Sequence, residues 1–114
     1  MPVTPATFRR IALSLPEASE AAHMGHPDFR VRNKIFASLA TPDGDWGTVK
    51  LTPEQQDVLL AAEPATFKPA AGAWGRRGST LVSLAAVNAA TLGSALGLAW
   101  RNTAPRTLVA RHAG

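Results

Sequence analysis

Apolar residues follow two rhythms along this chain. Phe8, Ile11, Ala12 and Leu15 recur at three- and four-residue intervals, one stripe of a helix, with Arg9 and Arg10 off it. Thr4 is placed to cap that helix and Pro5 takes its first position, where a missing N–H costs nothing. Pro16 ends it, because the residue before a proline is pushed out of the α region. The period then changes to two. Phe29 and Val31 alternate with Arg30 and Arg32 across Asp28–Arg32, Lys34–Leu39 forms a second strand and Trp46–Leu51 a third. Asn33 tolerates a left-handed backbone, so Arg32-Asn33 predicts a tight hairpin turn, and Thr41–Asp45 predicts another. Glu20–Met24 is a candidate for one strand more.

Thr52-Pro53-Glu54-Gln55 opens a second helix: Thr52 caps, Pro53 leads, and Gln55 completes a capping box. Val58, Leu59 and Ala62 are expected to form its buried face, and Pro64 stops it. A short strand near Thr66–Lys68, a glycine-rich loop over Gly72–Gly78 and a strand Thr80–Leu84 follow. Asn88 caps a last helix running to about Asn102, with Leu92, Ala95, Leu96, Ala99 and Trp100 on one face and Gly93 and Gly97 off it. The tail from Arg106 to Gly114 is expected to fray. The order α-β-β-β-α-β-β-α, without regular βαβ alternation, places the chain in the α+β class, an antiparallel sheet with flanking helices.

Its 114 residues suit one domain spanning 1–114. With 46% hydrophobic residues and a net charge of +4, disorder is not expected. No apolar run reaches the ~20 residues needed to cross a bilayer, and the first residues lack the basic-then-apolar pattern of a signal peptide. Cysteine is absent, which removes disulfides, thiolate metal sites and cysteine nucleophiles together. A cytoplasmic globular protein is expected. Its charge is uneven. Eight acids and six bases lie in residues 1–63, a net −2, whereas residues 64–114 hold six bases and no acid. Nine of the twelve bases are arginine, the better residue for forked contacts to phosphate or carboxylate.

Two basic groups stand out. Arg30, Arg32 and Lys34 surround the hairpin, and strict alternation sets Arg30 and Arg32 on one face about 7 Å apart, a fit to phosphates along an extended strand. Trp74-Gly75-Arg76-Arg77-Gly78 combines glycines, which let N–H groups turn toward an anion, with two guanidinium forks. Lys50 and Lys68 are lesser candidates. Against each stands a plain structural reading: a solvated sheet face and a hairpin connection whose Trp74 caps the core. His23 and His26 lack the further ligands zinc needs. No Gly-x-Ser-x-Gly elbow or cofactor fingerprint is present, and Asp43 and Asp45 read as turn residues, so catalysis, metal and cofactor are not expected.

Six segments, in order, resemble the MmcQ/YjbR-like family of small bacterial proteins: Leu15-Pro16-Glu17, His26–Val31, Lys34–Ala37, Val49–Gln55, Trp74-Gly75-Arg76 and Ala99-Trp100-Arg101. The resemblance covers nearly the whole chain. It implies an α+β fold described as double-wing or secretion-chaperone-like, and members are commonly labelled DNA-binding. It transfers no catalytic residue. Asn33 stands where a glycine often sits, and Ser79 replaces a large aromatic. Together these readings lead to a non-catalytic module contacting nucleic-acid phosphates, largely without sequence preference, through Arg30, Arg32, Lys34, Arg76 and Arg77. The alternatives are a protein-interaction or chaperone-like adaptor, homodimeric or not, using an exposed apolar patch, and a small-anion pocket around Trp74–Gly78. A frataxin-like iron role is disfavoured because it would want an acidic surface.

Overall fold

Thr4 Oγ1 accepts the Thr7 N–H at 3.1 Å and starts α1 (Pro5–Leu13), as its sequence requires. The computed structural model describes residues 3–39 and 45–113. After α1 come β1 (Ala18–His23), β2 (His26–Val31), β3 (Lys34–Leu39), β4 (Trp46–Lys50), α2 (Pro53–Ala62), β5 (Phe67–Pro69), α3 (Gly72–Arg76), β6 (Ser79–Ser83), α4 (Ala89–Thr103) and α5 (Arg106–Ala113). The six strands form one open antiparallel sheet in the order β1-β2-β3-β4-β6-β5. The α+β class therefore holds, and the candidate at Glu20–Met24 is a strand, displaced to Ala18–His23.

Two hairpins fix the first three strands. Met24 and Gly25 (φ 51° and 80°) turn β1 into β2, and Arg32 and Asn33 (φ 51° and 67°) turn β2 into β3. Paired left-handed residues give the turn whose twist matches the flanking strands. Arg32 thus belongs to the turn and not to the strand. The second expected turn falls largely on residues 41–44, outside the described residues. Between β2 and β3 the register passes from Phe29↔Ala37 to Arg30↔Ile35, so Phe36 is an extra residue in β3. That bulge lets Phe36 and Ala37, neighbours in sequence, both be buried.

The core lies where α4 packs on β3 and β4 and α1 packs on β1 and α4. Phe8, Phe29, Val31, Val49, Val82, Leu92, Leu96 and Trp100 fill it. Trp100 has its one polar atom satisfied: Nε1 donates to the Pro16 carbonyl at 2.9 Å.

Three expectations need correction. The inward residue of α2 is Gln56, flanked by half-buried Leu59 and Leu60, while Ala62 is exposed and Val58 is 67% exposed. Gln56 is buried because its Nε2 donates to the carbonyls of Gly75 and Ser79 and to Thr80 Oγ1, at 3.0–3.1 Å. Within the glycine-rich stretch, Gly72–Arg76 is a short helix. A Cβ at Gly75 would strike the Ala70 carbonyl oxygen, and Gly78 (φ 113°) lies against the Leu51 carbonyl, where Leu51 N–H donates to the Gly78 oxygen. The tail does not fray through residue 112: α5 buries Leu108 and sets the His112 ring edge-on to Trp100, centroids 5.4 Å apart.

Candidate functional site

Because side chains alternate along strands, the sheet has a second face opposite α1 and α4. His23, Asp28, Arg30, Ile35, Ser38, Thr48, Lys50 and Ser79 belong to it. The register aligns them: Asp28 lies opposite Ser38, Ser38 opposite Thr48, Arg30 opposite Ile35 and Lys50 opposite Ser79. Two adjoining depressions open here. A cleft of about 460 Å³ is lined by Arg30, Asn33, Lys34, Lys50 and Asn102. A groove of about 450 Å³ is lined by His23, Ser38, Thr48, Ala71, Trp74 and Ser79. Ile35 and Lys50 line both.

Arg30 crosses the sheet face to grip Asp28 with two nitrogens, Nε to Oδ1 at 2.7 Å and Nη2 to Oδ2 at 3.1 Å. Asp28 is fully buried, and its Oδ2 also meets His23 Nδ1 at 2.8 Å. The Arg30 hydrogen bonds hold the Asp28 carboxyl below its ordinary range against the opposing effect of burial, with His23 adding to them. Arg30 is raised in return by the same bonds. Arg32 leaves this face. As a turn residue it reaches Glu17 with both Nε and Nη2, lowering the Glu17 carboxyl and raising its own guanidinium. Arg111 of α5 also acts on Glu17. The expected sharing of one face by Arg30 and Arg32 is therefore not realised, since alternation ends where the left-handed turn begins.

Lys34 and Lys50, both exposed, converge with Arg30 on the cleft. Lys50 owes its position to β4 and to Asn102, whose amide donates to the Lys50 carbonyl at 3.1 Å. Arg76 and Arg77 are exposed on and just after α3. Arg77 sits 5.8 Å from the ring centre of Trp74, which is 64% exposed and does not cap the core. Lys68 lies 4.4 Å over Trp46, away from the cleft lining. The structure thus brings Arg30, Lys34 and Lys50 together, puts Trp74 on the adjoining groove with Arg77 near its ring, and separates Arg32.

The His23–Asp28 contact is the part that the sequence reading missed. A carboxylate two residues from an arginine on one strand shares its face, and that signal was available. The histidine needed the β1–β2 register to be seen. Among the described residues no three His, Asp or Glu groups gather to hold a metal ion. No helix among the described residues is long and apolar enough to cross a membrane.

Comparison with known proteins gives the fold a lineage. The crystal structure of Deinococcus radiodurans protein DR2400, which carries a DUF419 domain, superposes with a TM-score of 0.73. The match covers 86% of this chain and 76% of that one at 23% identity, a likeness of fold. No curated protein matches the chain. The family model named YjbR, however, matches residues 13–102, from the end of α1 into the last turn of α4. On that match, which contains the whole sheet and, Thr103 apart, the linings of both depressions, the chain belongs to the YjbR family.

Proposed function

We propose that this protein is a non-catalytic binding module that holds nucleic-acid phosphates along the open face of its sheet. The observation that carries the reading is the meeting of Arg30, Lys34 and Lys50, one from each of three successive strands, around one cleft. A cleft walled on one side by cations focuses potential and favours a polyanion. Arg76 and Arg77 extend the basic surface from α3. Arg32 contributes least, because Glu17 already occupies its fork. Arg30 keeps a positioning role, since its charge is shared with Asp28 while its side chain still lines the cleft. Fluorescence anisotropy of labelled single-stranded and duplex oligonucleotides at low salt tests this. Binding that weakens as salt is added, and is weaker in the Lys34→Ala/Lys50→Ala protein, supports it. No binding of either form at low salt overturns it.

A further inference from the structure

We propose that the groove beside Trp74 receives one unstacked base of a single-stranded nucleic acid while the adjoining cleft holds its phosphates. This inference rests on the phosphate-binding reading. Continuity is the first ground. Ile35 and Lys50 line both depressions, so a ligand with a phosphate on Lys50 has its next group at the mouth of the groove. The linings differ in the way a nucleotide differs from end to end. The cleft is cationic, whereas Ile35, Ala70, Ala71 and Trp74 give the groove an apolar wall.

The second ground is Trp74. A large aromatic side chain left 64% exposed beside a cationic cleft, with the Arg77 guanidinium near its ring, offers two flat surfaces of the kind bases stack on. Ser79, small and on the same groove, leaves that space open. The third ground is His23. Its Nδ1 is bonded to an ionised carboxylate, which only accepts, so Nδ1 carries the proton. Nε2 is then the free hydrogen-bonding atom, and in the neutral ring it accepts. A base offering an N–H, whether an amine or a ring imide, matches it, and the Ser38 and Thr48 hydroxyls are close by on the same lining. In a duplex those base edges are paired and stacked, so the single strand is the form that fits.

The test compares three probes of equal length by anisotropy: a single strand, its duplex, and a strand of abasic residues with the same phosphates. The single strand is expected to bind about tenfold more tightly than the abasic strand, the scale of one stacked base, and more tightly than the duplex. Trp74→Ala removes that advantage without changing abasic binding. Trp74→Phe restores most of it, and His23→Phe lowers it in part. Both side chains are exposed, and in His23→Phe the Arg30 guanidinium still bonds both Asp28 oxygens, so these variants keep the fold. Equal affinity for single and abasic strands, or equal loss on both in Trp74→Ala, overturns the base pocket and leaves the phosphate reading standing. Duplex bound as tightly as single strand also overturns it. Failure of all three probes to bind at low salt overturns the phosphate reading itself.

Discussion

Asp28 keeps its charge with no exposed side-chain surface, because Arg30 and His23 supply three hydrogen bonds to its two oxygens. A carboxyl whose folded-state pKa lies below its unfolded value adds stability that is whole above the unfolded pKa and is lost as pH falls through the folded one. Asp28 and Glu17 both have this sign. Their contribution is therefore complete at neutral pH and erodes below about pH 4, the ordinary carboxylate range. Asp28→Asn should lower stability at pH 7 by about 1–3 kcal/mol, discounted for the partial exposure of Arg30. The gap from the unaltered protein should narrow as pH falls to 2. Urea denaturation at pH 7, 4 and 2 checks this, and a gap that stays constant across the series would show that Asp28 is not the acid-sensitive group.

The elements differ in how openly the sequence declares them, and the reason is where their determinants sit. The capping of α1 and α2, the Arg32-Asn33 turn and the apolar stripe of α4 are local, and each appears where the sequence places it. The inward face of α2 does not, because it is set by Gln56 bonding to acceptors 19 to 24 residues away. No hydrophobic rhythm marks a buried amide. The same holds for the site: Arg30, Lys34 and Lys50 are legible as charged positions, but their convergence on one cleft, the His23 contact to Asp28 and the pairing of Arg32 with Glu17, 15 residues away, depend on tertiary neighbours. Gln56→Leu should therefore strip donors from Gly75 and Ser79, cost about 1–3 kcal/mol, and speed hydrogen exchange in α3 more than in α4. The exchange pattern decides between a tether on α3 and a general core effect. For α5, Leu108→Ala should cost about 2–3 kcal/mol by removing a buried side chain. A thermal midpoint unchanged by that substitution would mean α5 adds nothing to the core.

Across the whole molecule the count of twelve bases overstates what a ligand can use, since paired guanidinium groups are partly spent. Arg9 is bonded to Glu20, Arg30 to Asp28 and Arg32 to Glu17, three of the six bases in residues 1–63. Lys34 and Lys50, which share the cleft, are the cations whose removal should register as lost counterion release. For single strands the slope of log affinity against log salt is about −0.7 per phosphate neutralised. Lys34→Ala/Lys50→Ala should therefore make the slope less steep by about 1.4, two phosphates' worth. Arg32→Ala, although it removes one formal charge as each of those lysine substitutions does, should leave both slope and affinity nearly unchanged. Arg76→Ala/Arg77→Ala should fall between, because α3 borders the groove and Arg77 already lies against Trp74. Salt titrations of the four proteins rank these contributions. If Arg32→Ala flattens the slope by half as much as the double-lysine change does, position on the sheet face is irrelevant and only total charge matters, which would reduce the cleft to one part of a diffuse basic surface.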